Sequence, residues 1–216
     1  MIKLIKSEIP NILRVNGPEW TRIVLQKQAE SLELTASEKS RYAHPEIKAA
    51  IIQETNGKCA YCESKVRHIA YGDIEHVIPK SSEPELWFDW ENLTLACDVC
   101  NTNKGNKRGV VDPYAVDPEQ RFVFLGSVVW PVPGDETAAL SVRILDLNRT
   151  ELVGKRLERI EYLMLFSTTI EKTTCPDLRA ILEQDFKREL ESDKEYAALC
   201  RAVARELTAR GVVSVA

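Results

Sequence analysis
The chain has 216 residues, of which 44% are hydrophobic and 29% charged, a balance ordinary for a globular protein. That balance excludes a disordered tail, a collagen-like repeat and a disulfide-packed miniprotein, and the length fits one or two small domains with a sizeable core. Lys and Arg number 29 against 33 Asp and Glu, a formal charge of −4, so any basic surface for nucleic acid must be local.

The first 15 or so residues read as a strand or extended arm closed by Asn16-Gly17-Pro18. A helix is expected from Pro18, with Trp20, Ile23, Val24 and Leu25 on one face. His44-Pro45 opens a second helix, because proline suits the first helical turn. Ile47, Ala50, Ile51 and Glu54 carry it to Gly57, a good stop. From Lys58 to Asp112 the periodicity fails, apart from a strand-like run at Ile74-Glu75-His76-Val77-Ile78-Pro79. So little apolar mass often needs a metal to hold it. Phe122–Leu125 and Val128–Trp130, split by Gly126-Ser127, predict a β-hairpin. Ala139–Leu147 reads as a further strand or a short helix.

The remainder predicts helices. Asn148 is placed to cap one with Leu152 or Val153, Leu157, Ile160 and Met164 at 4,3,4 spacing. Pro176 starts another with Leu178, Ile181, Leu182 and Phe186. Ser192-x-x-Glu195 is a capping-box pattern for a last helix with Tyr196, Leu199, Cys200, Val203 and Leu207 on its face, ending near Gly211. The units expected are an N-terminal arm and helices (1–56), a metal-held core (57–112), a β-rich connector (113–147) and a C-terminal helical region (148–216) suited to partner docking.

No stretch approaches the roughly 20 apolar residues of a membrane span. Met1–Lys6 alternates charge with apolar residues and lacks a signal-peptide core. The expectation is a cytoplasmic protein, and in a reducing compartment paired cysteines read as metal ligands before disulfides. Four of the six cysteines form two pairs, Cys59-x-x-Cys62 and Cys97-x-x-Cys100, with 34 residues between them. Each pair puts two sulfurs on one turn at a bite suited to tetrahedral Zn²⁺. Four thiolates leave no open coordination position, so the zinc is structural. Cys175 and Cys200 lack partner spacing and read as core residues or free thiols.

Between and after these pairs lie the groups with chemistry. Glu75 and Asn101 are hard oxygen ligands suited to Mg²⁺, with Mn²⁺ as a substitute. His76 has a reference pKa near neutrality and is a candidate base for activating water. Neighbours on a strand face opposite ways, so Glu75 and His76 serve one site only if the strand bends. Asn101 is expected at a helix start, where backbone amides favour a phosphate. Lys104, Lys107 and Arg108, with Lys80, are the candidate contacts to a nucleic-acid backbone. Of the other histidines, His44 reads as structural and His68 as a rival for a secondary role.

Together these residues resemble the HNH endonuclease family, the zinc-supported ββα-metal nucleases. The resemblance rests on Cys59-x-Tyr61-Cys62, Glu75-His76-x-x-Pro79-Lys80-Ser81, Asn92-Leu93 and Cys97-x-x-Cys100-Asn101-x-x-Lys104-Gly105, about residues 57–110. It implies an α+β fold, with a ββα-metal nuclease core and structural zinc flanked by N-terminal helices and a C-terminal helical region. It implies His76 as general base, Asn92 as the brace of the ββα loop, and Glu75 and Asn101 as metal ligands. Asn101 replaces the last motif histidine and Glu75 replaces the usual Asp; both changes keep an oxygen ligand.

Flanking runs widen the resemblance to the HNH subunit of Septu-type antiphage systems, also found in some retron operons. These runs are Ile9-Pro10-x-Ile12-Leu13-x-x-Asn16-Gly17, Lys58–Glu63, Trp87-Phe88-Asp89-Trp90-x-Asn92-Leu93, Val111-Asp112-Pro113 and Leu145-x-Leu147-Asn148-Arg149. This wider resemblance implies nucleic acid, DNA or RNA, as substrate and an ABC/SMC-like ATPase subunit as partner. The competing expectation is a non-catalytic zinc module that binds nucleic acid or scaffolds a complex.

Overall fold
The computed structural model describes residues 1–66 and 72–214. Residues 1–10 run extended and anchor themselves through Met1, Ile2 and Leu4, all buried. The Leu4 N–H donates to the Pro113 carbonyl at 2.9 Å. Helix α1 (Asn11–Ala29) starts seven residues before the predicted position and runs through Gly17-Pro18. Proline clashes with the Cβ of the residue before it, and Gly17 has none. A Cβ at Gly17 would make only ordinary contact with the Phe88 carbonyl at 3.7 Å, so what the glycine supplies is room for the proline that follows it. Leu25 faces solvent, whereas Val24 is buried. A short helix α2 (Ala36–Ser40) leads to α3 (Pro45–Glu54). His44 caps α3, its Nδ1 accepting the Glu46 N–H at 3.2 Å. Ile47 and Ile51 are fully buried on one side of α3.

The segment without periodicity contains a small ββα unit. Strand β1 (Asp73–His76) pairs antiparallel with β2 (Leu93–Ala96), matching Glu75 to Thr94 and His76 to Leu93. Helix α4 (Asp98–Lys104) follows directly and packs on β1. The predicted hairpin is present as β3 (Phe122–Leu125) and β4 (Val128–Pro131), joined through Gly126-Ser127 with Gly126 at φ +60°. The ambiguous stretch after it is helical, α5 (Glu136–Ile144), capped by the Asp135 carboxylate on the Ala138 N–H at 2.9 Å.

Helix α6 (Thr150–Lys172) differs from expectation in cap and in face. Asn148 does not cap it. Its amide donates to the Val129 carbonyl at 2.8 Å and accepts the Val129 N–H at 2.9 Å, pinning β4 instead. The buried positions are Leu152, Leu163 and Ile170, while Leu157 and Met164 are exposed. Helix α7 (Pro176–Arg188) likewise buries Phe186 and leaves Leu178 and Ile181 exposed. Helix α8 (Ala197–Ala209) starts after Tyr196, a left-handed residue at φ +54°, rather than from a Ser192 box. The Ser192 hydroxyl accepts from Arg201 at 2.7 Å, and Glu195 accepts the Lys65 N–H at 2.6 Å, so both side chains are spent elsewhere. The Tyr196 hydroxyl is tied to Ser64 at 3.0 Å.

The elements share cores rather than stacking as separate units. Cys59, Cys62 and Cys100 pack with Leu145, Leu147, Leu152 and Leu199. Helices α1 and α3 close over β1 and β2 through Leu13, Ile47, Ile51, Ile74 and Leu95. Among the described residues no helix is long and apolar enough to cross a membrane.

Candidate metal centre and catalytic strand
The two C-x-x-C turns converge. The four sulfurs of Cys59, Cys62, Cys97 and Cys100 all lie within 4.8 Å of one another. The first turn is set by Ala60, whose N–H pairs with the Leu95 carbonyl at 2.8 Å, and by Glu63 in a left-handed conformation at φ +65°. The second is the first turn of α4, where the Cys97 sulfur accepts the Cys100 N–H at 3.5 Å. The Cys62 and Cys97 sulfurs are 3.8 Å apart. That separation matches the edge of a tetrahedron with zinc–sulfur bonds of about 2.3 Å. The donor set is therefore compatible with zinc. Cys175 is exposed and Cys200 is buried in the α6–α8 core, neither near this cluster.

Strand alternation sorts the residues of β1 onto two faces. Asp73 and Glu75 turn to α4, where Asn101 and Lys104 sit three residues apart on the same helix side. The Asn101 amide donates to Asp73 Oδ2 at 2.7 Å. Lys104 Nζ donates to Glu75 Oε1 at 2.6 Å and to the His76 carbonyl at 2.7 Å. The Lys104 side chain is wholly buried. Burial raises the Glu75 carboxyl above its usual range, against the pull of the Lys104 ammonium. Asn101 and Asp73 border open space, whereas Glu75 is engaged by Lys104.

His76 lies on the other face and is buried. Its Nε2 is 2.9 Å from the Trp87 carbonyl, which can only accept, so Nε2 carries the proton and Nδ1 the free lone pair. The Tyr42 ring meets the imidazole edge to face, with centroids 4.8 Å apart. Burial is the largest influence on His76 and pushes its pKa down to about 3, so the ring is neutral at pH 7.

Asn92 holds the loop between the strands. Its Oδ1 accepts the Ile78 N–H at 2.7 Å, and its Nδ2 donates to the Ile78 and Leu86 carbonyls at 3.0 and 3.1 Å. The remaining sequence-predicted cations are dispersed. Lys80 Nζ donates to the Tyr42 hydroxyl at 3.2 Å and sits over the Tyr42 and Trp87 rings. Lys107 bonds the Asn103 carbonyl at 2.6 Å, and Arg108 pairs with Glu83. His68 lies outside the described residues.

An open cleft of about 540 Å³ borders this unit, lined by Tyr42, Pro45, Lys48, Asp73, Ile74 and Asn101. Sequence reasoning missed Tyr42, Lys48 and Asp73. Asp73 had a signal, because it stands two residues before Glu75 and so shares its face. Tyr42 and Lys48 had none, because they arrive from the N-terminal helices.

Comparison with known proteins agrees with this geometry. Residues 59–107 match the family model described as HNH endonuclease. The chain is 27% identical over 168 residues to Septu protein PtuB of Bacillus thuringiensis, covering 71% of this chain and 63% of that protein. It is 23% identical over 194 residues to Septu protein PtuB of Bacillus mycoides (strain KBAB4), covering 72% of this chain and 66% of that protein. The matches thus span just under two thirds of each relative's length. The chain carries an HNH endonuclease domain at residues 59–107, flanked by helices and containing a four-cysteine cluster compatible with zinc binding.

Proposed function
We propose that this chain, with its HNH domain and its similarity to Septu PtuB, is a metal-dependent endonuclease acting as the effector nuclease of an antiphage complex. Its substrate is a phosphodiester of DNA or RNA. Its partner is an ABC/SMC-like ATPase subunit, and its compartment is the cytoplasm. One observation carries the catalytic reading: the Trp87 carbonyl holds the His76 Nε2–H and leaves the Nδ1 lone pair to accept a proton from water; burial weakens this base, and an anionic phosphate beside it would raise its pKa towards neutrality. Asn92 braces the loop that supplies this carbonyl, through its bonds to Ile78 and Leu86.

Glu75 and Asn101, on the α4 face of β1, are proposed to hold a divalent ion, Mg²⁺ or Mn²⁺; joining them to His76 in one site requires Glu75 to leave Lys104 and the strand to bend at residues 75–76. Such an ion supplies charge neutralisation at the phosphate and the leaving oxygen. Lys80, Lys107 and Arg108 are proposed to contact the substrate backbone. Lys104 joins that set only if its ammonium leaves Glu75. The net charge of −4 fits a nuclease that receives its substrate within a complex rather than by its own field. The exposed Leu157, Met164 and Leu165 of α6 and Leu178 and Ile181 of α7 make the C-terminal helical region the proposed docking face.

Mn²⁺ titration of the zinc-loaded chain separates this proposal from a purely scaffolding zinc module. Wild type should bind an additional ion, and the double variant Glu75→Ala with Asn101→Ala should lose it while keeping its zinc. Absence of an added ion in wild type would favour the scaffold.

A further inference from the structure
The four cysteines lie within the HNH match, which ends at residue 107, yet the positive charge nearest their sulfurs comes from far outside it. Arg149 Nη1 is 3.9 Å from Cys100 Sγ. Among the described residues it is the one charged side chain within hydrogen-bonding reach of a cluster sulfur. The other hydrogen-bonding groups there are neutral: the Ser64 hydroxyl at 3.5 Å from Cys62 and the Cys100 N–H at 3.5 Å from Cys97.

A zinc ion in four thiolates retains a formal double negative charge. Three of the four cysteines are buried, so water cannot solvate that charge well. A buried charge without a counter-charge is expensive.

The segment around Arg149 is built to hold it in place. Leu145 and Leu147 are buried in the same core as Cys59, Cys62 and Cys100. Asp146 turns the chain in a left-handed conformation at φ +47°, and its carbonyl accepts from Arg149 Nη1 at 3.1 Å. Asn148 is clamped to both backbone groups of Val129. Arg156, two turns along α6, is buried with its guanidinium on the Leu147 carbonyl at 2.7 Å, fixing the same loop from behind.

We propose that Arg149 is a positioning residue of the metal centre: its guanidinium neutralises the zinc tetrathiolate, so metal retention depends on the 145–149 loop as well as on the four ligands. The HNH unit is then electrostatically incomplete without the loop that precedes α6. The run Leu145-x-Leu147-Asn148-Arg149, which stood out in the sequence without a function, acquires one. Two leucines seat the loop, the asparagine locks it to the hairpin, and the arginine meets the sulfur.

The proposal rests on zinc occupying the cysteines, and the test separates the two. The full chain is loaded with Zn²⁺ or Co²⁺. Wild type should take up one ion per chain, and failure to do so would overturn the zinc assignment itself. Arg149→Met keeps the stem and removes the charge. Loss of such an outer partner typically weakens metal binding roughly 10–100-fold. Transfer of zinc to a competing chelator should therefore show an affinity lower by that order, with helical circular dichroism unchanged. The sulfur-to-cobalt charge-transfer band should move to longer wavelength, because the thiolates lose a cation that holds their electrons. Arg149→Lys should recover part of both effects, and it carries the test if the methionine variant does not fold. Asn148→Ala loosens the loop but keeps the guanidinium, so its band should move in the same direction as in Arg149→Met but less far. Wild-type metal affinity and an unmoved band in Arg149→Met would overturn the proposal. So would an equal band shift in Asn148→Ala.

Discussion

At His76 a single backbone carbonyl determines what the side chain can do. The Trp87 oxygen selects the Nε2–H tautomer, and burial keeps the ring neutral. The strand under Glu75 and His76 and the helix under Asn101 were legible because the residue types and spacing are specific. The partners of these side chains were not, because partners depend on how α4 lies across β1. Lys104 illustrates the gap. In the sequence it belongs to a basic run facing a backbone; in the fold its ammonium is buried against Glu75 and the His76 carbonyl. Lys104→Met should therefore strand a buried carboxylate and cost about 3–5 kcal/mol of stability. Adding Glu75→Gln should recover much of that loss, because the unpaired charge is gone. Chemical denaturation of the single and double variants measures both. A Lys104→Met protein as stable as wild type would show that the pair contributes little.

Among the elements, those with local punctuation were read well. The Gly126-Ser127 hairpin and the His44-Pro45 start of α3 appear where the sequence puts them. Errors arose where a side chain with two possible uses took the tertiary one. Asn148 pins β4, and Ser192 meets Arg201. Gly17-Pro18 looked like a stop, yet the missing Cβ lets α1 continue through it. The apolar stripe of α6 was phased wrongly because exposed leucines are as common in its sequence as buried ones. The strands β1 and β2 are packed on one side by α1 and α3, and the cysteines tie the turn before β1 to the start of α4. Metal binding then contributes folding free energy directly. Cys97→Ser should lower the zinc content below one ion per chain and unfold this unit, as read by metal analysis and near-ultraviolet circular dichroism. Undiminished zinc in that variant would mean that Cys97 is not a ligand.

For the molecule as a whole, the acidic charge, the cleft and the shared cores belong to one account. The cleft beside Asp73 and Asn101 takes more than half its wall, Tyr42, Ala43, Pro45 and Lys48, from outside the HNH match. The four-cysteine cluster is packed by α6 and α8. Residues 59–107 therefore should not behave as a free-standing unit, and the intact chain, with the proposed partner, is the proper object of assay. The decisive measurement is Mg²⁺-dependent cleavage of DNA and of RNA by the chain co-purified with the proposed ATPase subunit, with and without ATP, comparing wild type with His76→Ala. The account predicts cleavage by wild type and a loss of roughly 10²–10⁴-fold in the variant at unchanged zinc content and assembly. Equal cleavage by the two complexes would contradict it.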